Sequence, residues 1–316
     1  MSWPLFLARR LAALVAVLLV ASFLVYGLLY LVPGGPMAFL LGNRSGNPEQ
    51  IAAIRHEYRL DDPFLIRYFG WLGDALRGDF GQSLVYRQDV SDLMSTRLAT
   101  TGLLVLYATV IIVVAGVGLG VLGALRRGTV DAVISLVNSI FLATPTFVVG
   151  VLLVIVFALG LDWFPVFGPG AGLPGRLYHL TLPAIALSLG SAAFLARITR
   201  ASVGEELRRE HVETARSRGF SQSHIVRRHV LRNASIPVVT VTGLTVAGLI
   251  AGSVVVENIF ALDGLGSLLV RAILQRDFAV VQGVVLVLVT AFVLINLAVD
   301  VCYSLIDPRL SPGEAT

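Results

Sequence analysis

EELRREHVETARSRGFSQSHIVRRHVLRNASIP, residues Glu205–Pro237, is a polar island between two apolar runs, Leu177–Ala196 and Asn233–Val256, neither of which holds an acidic or basic residue other than His179. Each run is about 20 residues or longer, the length of helix that crosses the hydrocarbon core of a bilayer. Nine arginines lie from Arg197 to Arg232, with His211, His224 and His229 among them. The island must therefore face water or a charged surface.

Similar windows recur at Leu11–Leu31, Leu98–Leu125, Ala132–Leu161 and Phe278–Val299. In lipid a helix satisfies its own backbone hydrogen bonds, so all six windows are read as transmembrane helices and the fold class as all-α polytopic. Composition agrees: 56% of residues are hydrophobic, 14% are charged and the mean hydropathy is +0.83, too apolar for a soluble domain. The net charge of +4 is spread over short loops, which argues against a nucleic-acid partner.

This division predicts a first transmembrane helix over 1–32, an extracytoplasmic loop subdomain over 33–97, a five-helix core over 98–306 and a cytoplasmic tail over 307–316. Arg9 and Arg10 precede the first span, which is longer than a signal-peptide core and shows no small-residue cleavage site, so it is expected to be retained. Arginines in the short connections fall mainly on the side of Arg9, Arg126, Arg127 and the Arg197–Arg232 segment. The excess of basic residues places both termini and the island in the cytoplasm.

Several patterns can be set aside. Gly118, Gly120 and Gly123 match a dinucleotide-binding fingerprint, but inside an apolar span, with no preceding strand and no later ribose-binding acid. Close helix packing through Gly116 and Gly120 is the better reading. His56–Glu57 begins a zinc-protease pattern whose fifth position is Leu60, so the second ligand is missing. Ser191 and His179 are twelve residues apart, about 18 Å along one helix, too far for an intramembrane serine hydrolase. Cys302 is the single cysteine, so it forms no intrachain disulfide. No metal site is expected.

The sequence has no lysine, and a P-loop needs one to reach nucleotide phosphates. Any ATP-driven step must then occur on another subunit, docked on the cytoplasmic side. Val203, Leu207, His211 and Ala215 recur at helical spacing, and the helix is predicted to end near Arg218 with Gly219 left-handed behind it. Ser221 is placed to cap a second helix, with Phe220 and Ile225 as a hydrophobic staple.

Glu213, Thr214, Ala215, three residues, Gly219, nine residues, then His229, Val230, Leu231 and Arg232 match the spacing of the EAA loop, E-A-A-x3-G-x9-I-x-L-P, of ABC importer permeases. Thr214, His229 and Arg232 depart from that pattern, and His229–Asn233 looks like the H-x-L-R-N variant of the dipeptide and oligopeptide branch. Leu31–Gly35, Leu60–Pro63, Leu76–Leu84, Glu257–Gly283 with its core GLGSLLVRAILQRDFAVVQG, and Asp307–Arg309 also resemble that branch.

The resemblance implies a MetI-like type I importer core formed by helices two to six, with the coupling loop at 203–233. It further implies that Glu213–Phe220 is a coupling helix fitting a groove of a cytoplasmic ATPase. Two such ATPase subunits, which bind ATP and Mg, a second homologous permease in a heterodimer and an extracytoplasmic substrate-binding protein are the expected partners in a bacterial cytoplasmic membrane. The chain itself is expected to be neither an enzyme nor a cofactor carrier. The expected cargo is dipeptides or oligopeptides; nickel or another small solute is an alternative, and an ion-gradient-driven secondary transporter an alternative from another class.

Polar residues within the spans are candidates for the pathway: Asn138, Thr144, Thr146, Ser188, Ser191, Thr240, Thr242, Thr245, Ser253, Asn296 and the intramembrane Asp300. Asp300 is read chiefly as a partner for Arg126, Arg127 or Arg197. Pro145 and Pro183 are expected to kink their helices or shape their packing. Glu257 is expected to be a solvated surface acid.

Overall fold

Apolar runs of this length have no way to satisfy their backbone in lipid except along the helix axis, and the computed structural model is built from helices. It describes residues 3–28, 52, 61–83, 85–126, 128–168 and 170–306. In chain order these form α1 (Trp3–Leu28), α2 (Phe64–Ala75), α3 (Val90–Leu125), α4 (Thr129–Ala143), α5 (Thr146–Leu153), α6 (Gly172–Glu206), α7 (Glu210–Ser217), α8 (Gln222–Ile225), α9 (Leu231–Ile259), α10 (Leu265–Leu274) and α11 (Phe278–Ile306). Wider π-helical turns extend α5 through Val154–Gly160 and join α8 to α9 through Val226–Val230. An isolated bridge, Gln82 to Asp89, is the only strand-like pairing among the described residues.

Five helical stretches are long and apolar enough to cross a membrane: Ala8–Gly27, Val90–Leu125, Gly172–Glu206, Gln222–Ile259 and Phe278–Val299. The window 132–161 breaks at Pro145, one of the two prolines expected to kink a helix. It is a pair, α4 and α5, bent by 104°. A residue preceding proline is pushed out of the helical region, and Thr144 accordingly has ψ 123° and Pro145 ψ 140°. Thr144 Oγ1 donates to Ile140 O at 2.7 Å, giving one carbonyl at the end of α4 a partner. Pro183, by contrast, sits inside α6 without ending it.

The chain divides into two compact units, one of residues 1–6, 101–262 and 292–316, the other of 7–100 and 263–291. In the first, α6 is the central element against which α4, α5 and α9 pack. Leu104, Ala108 and Ile112 of α3, Val149 of α5, Leu187 and Leu195 of α6, and Leu249 and Val256 of α9 share its core. The contact between α3 and α6 is made at glycine. A methyl group on Gly120 would stand 2.6 Å from Ala196 O, and one on Gly116 would stand 2.9 Å from Leu195 Cβ. The small-residue reading of these glycines accounts for the geometry.

In the second unit, Val90, Leu93 and Met94 pack with Leu265, Leu268 and Ala272 of α10 and Val280 and Val284 of α11. Asp277, buried, caps α11: its Oδ1 accepts from Val280 N at 3.4 Å. Its Oδ2 accepts from Ser83 Oγ at 2.5 Å and Val85 N at 3.3 Å. The aromatic rings of α2 pack on the last turns of α1.

Leu31–Gly35, His56, Glu57, Leu60 and Asp307–Arg309 lie outside the described residues, as do the side chains of Asp300 and Cys302.

Candidate coupling site and transmembrane cavity

The polar island folds into a short lever. Helix α6 stops at Glu206, Leu207–Arg209 turn, and α7 restarts at Glu210. This restart changes the phase of the expected helix. Val203, Leu207 and Ala215 are buried as the spacing predicted, but Val212 takes the inward place and His211 is exposed. Val203, Val212, Ala215, Ile225, Val226, Val230 and Ala234 form a local core with Ala124 from the end of α3.

Gly219 has φ +82°, a backbone region where L side chains are strained. The bend is closed by Gly219 N donating to Arg216 O at 2.9 Å and Phe220 N donating to Ala215 O at 3.3 Å. The second bond is the six-to-one link of a Schellman ending. Ser221 caps the next helix, accepting from His224 N at 3.4 Å.

The staple is corrected. Phe220 is exposed and stacks on His224, with ring centroids 5.1 Å apart, while Ile225 is wholly buried in the local core. The imidazole offers Phe220 a flat partner at the surface.

The result is a lip of exposed residues on a fixed base. Glu213, Thr214, Gly219 and Phe220 face outward, whereas Ala215 anchors the helix from beneath. Thr214 Oγ1 donates to Glu210 O at 3.0 Å, so its hydroxyl is used locally.

Glu206 is the residue that spacing alone did not reveal. The residue is 8% exposed, and its carboxylate collects three segments of the lever. Asn233 Nδ2 donates to its Oε1 at 2.6 Å, His211 Nε2 lies 3.2 Å from the same oxygen, and Arg209 Nε lies 3.5 Å from Oε2. The available signal was an acid at a span boundary with Arg209 three residues on. A second unforeseen pair is Arg200, whose Nη2 donates to Asp131 Oδ2 at 2.6 Å, joining α6 to the first turn of α4.

Of the polar residues expected in the spans, Thr146, Ser191 and Thr245 line a cavity of about 420 Å3 with Gly190, Gly248 and Gly252. Thr242 and Asn296 are not among its lining. They donate to Val238 O and Phe292 O within their own helices, at 2.7 and 2.9 Å. Asn138, Ser188 and Ser253 are buried. Glu257 is also buried, fully, and accepts from Thr101 Oγ1 at 2.7 Å, so it is not a solvated acid. Its place on a helix face turned to α3 could not be told from its apolar neighbours. Among the described residues no cluster of His, Cys, Asp and Glu is arranged to hold a metal.

A helical core with membrane-length helices carries an exposed polar lever, an arrangement that known transport proteins share. Residues 112–312 match the family described as binding-protein-dependent transport system inner membrane component, and residues 4–105 match its N-terminal family. The chain belongs to this family. It is 37% identical over 309 residues to the "Probable peptide ABC transporter permease protein y4tP" of Sinorhizobium fredii, covering 96% of this chain and 98% of that one. It is 35% identical over 312 residues to the "Oligopeptide transport system permease protein AppB" of Bacillus subtilis, covering 96% and 98%.

Among solved structures, an inward-facing MetNI methionine ABC transporter chain superposes with a TM-score of 0.56 at 21% identity, over 68% of this chain and 96% of that one. An amino acid ABC transporter chain gives 0.52 at 20% identity, over 70% and 95%. These two share the fold, that of type I importer permeases.

Proposed function

We propose that this chain is one of two permease subunits of an ATP-driven importer in a bacterial cytoplasmic membrane, and that its cargo is dipeptides or oligopeptides. The carrying observation is the lever: an outward lip of Glu213, Thr214, Gly219 and Phe220 on a packed base that continues into α6 and α9. A partner ATPase gripping that lip moves both helices. It can shift the equilibrium between access states only by binding them with different affinity. The names of the curated relatives support the cargo class.

In this reading ATP and Mg sit on two cytoplasmic ATPase subunits, a second homologous permease completes the path as a heterodimer, and a soluble protein delivers cargo to the outer face. Both termini lie in the cytoplasm. Ser191, with Thr146 and Thr245, contributes polar surface to the path, while Thr242 and Asn296 support helix structure.

The test is uptake of labelled di- and oligopeptides by vesicles containing the chain with its neighbouring permease, ATPase and binding-protein gene products. Vanadate should abolish uptake. Uptake that survives vanadate but is lost when the proton gradient alone is collapsed would overturn the ATP-driven reading. Retention of nickel rather than peptide by the binding protein would overturn the cargo.

A further inference from the structure

Helix α2 has three faces with different chemistry. At 100° per residue, Phe64, Tyr68, Trp71 and Ala75 fall on one face, Arg67 and Asp74 on the next, and Leu65, Phe69, Leu72 and Leu76 on the third. The first face has its partner. Phe64 and Tyr68 pack edge-on against Phe23 at 5.5 and 5.3 Å, Trp71 lies 5.3 Å from Tyr26, and the Tyr68 hydroxyl is 2.8 Å from Ser22 Oγ. On the third face Leu65 is 56% exposed, Phe69 62% and Leu76 82%.

Such a stripe on an isolated water-facing helix would be unfavourable, since each exposed apolar side chain forfeits its burial. Its position resolves the difficulty. The residues of α1 that hold α2 lie between Leu19 and Gly27. They are the last two and a half turns of the apolar span Ala8–Gly27, and all of its 20 residues are needed to cross about 30 Å of hydrocarbon. A helix held there lies at the depth of that leaflet's acyl boundary. Beside it, Phe23 of α1, against which Phe64 and Tyr68 pack, is itself 42% exposed, so the stripe on α2 adjoins an exposed apolar surface of the span.

We infer that α2 is an interfacial helix: its Leu65–Phe69–Leu76 face is buried in the acyl boundary of the leaflet reached by the C-terminal end of α1, with Arg67 and Asp74 on the headgroup side. Apolar residues on one face and charges on another are what such helices require.

The experiment uses the assembled transporter in vesicles of phosphatidylethanolamine and phosphatidylglycerol. A nitroxide is attached to Phe69→Cys or Leu65→Cys, with Asp74→Cys for comparison, each in a Cys302→Ser background. At positions 65 and 69, collisions with oxygen should exceed those with a water-soluble nickel chelate several-fold, and the ratio should reverse at position 74. Free collision with the nickel chelate at 65 and 69 would show a water-facing helix, and shielding from both reagents would show a protein partner. Either result overturns the inference. Two independent labelled sites keep it decidable if one variant fails to fold.

Discussion

Asn233, the first residue after the basic run of the second lever helix, donates from Nδ2 to Glu206 Oε1 at 2.6 Å, across 27 residues of chain. The bond ties the last residue of α6 to the first turn of α9, and the lip of α7 hangs between them. A pull on α7 is therefore shared by both membrane helices rather than absorbed by the loop.

Glu206→Ala removes an acceptor from Asn233, leaves His211 without its carboxylate and leaves Arg209 with Glu205 alone, at 3.0 Å. Hydrogen bonds to charged groups contribute about 1.5–3 kcal/mol, so the lever should lose most of its local stability while the membrane core remains. Vesicles should show ATPase activity no longer matched by uptake. Glu206→Gln retains an oxygen for Asn233 and should keep at least half of the wild-type uptake. Equal loss in both variants would assign the effect to charge alone.

Gly219 at φ +82° admits asparagine far better than a β-branched residue. Gly219→Val should cost about 1–2 kcal/mol in backbone strain and abolish coupled uptake with normal membrane insertion, whereas Gly219→Asn should transport. Glu213→Lys, on the exposed lip, should leave the fold intact and weaken ATPase copurification. Normal copurification and uptake in Glu213→Lys would remove the lip from the docking surface.

At the α3 and α6 contact, Gly120→Val should be the most damaging of the glycine changes, because even one methyl would lie 2.6 Å from Ala196 O. Overpacking of this kind costs about 1–3 kcal/mol or more. Gly118→Ala, two residues away with nothing within 4 Å, should be neutral or slightly stabilising through helix propensity. Thermal unfolding in detergent, followed by circular dichroism, checks the contrast.

Asp277→Ala removes the cap of α11 and the acceptor of Ser83 and Val85 together. Loss of an N-cap alone costs about 1 kcal/mol, and the orphaned buried donors add about 1–3 kcal/mol. The loop around Ser83 should become cleavable in limited proteolysis. Asp277→Asn, which preserves the acceptor oxygen, should remain resistant.

Much of this was legible in the chain itself. Windows such as Leu177–Ala196 and Phe278–Val299 are set by the thickness of a bilayer, and Gly219 and Ser221 announce a helix end and start by residue type. A kink at Pro145 was legible, but its size, 104°, was not, since hydropathy does not change across it and Pro183 sits within an intact helix. Glu257 and Asp277 were missed for a different reason. Their partners, Thr101 and Ser83, are 156 and 194 residues away, and no local pattern carries that information. His211 was misplaced because the three-residue turn Leu207–Arg209 resets the helical phase, which spacing counted from Val203 cannot register.

The glycine seam between α3 and α6 also bears on how the subunit must work. Gly116 is filled by the Leu195 side chain, and Gly120 by Thr199 and the Ala196 carbonyl, so tilting or sliding α3 against α6 drives these groups into a backbone that has no side chain to yield. The two helices are expected to move as one, like a plank and its crossbeam. If the subunit alternates between inward and outward openings, the shift is expected at seams filled by longer side chains, while the contact through Gly116 and Gly120 stays still.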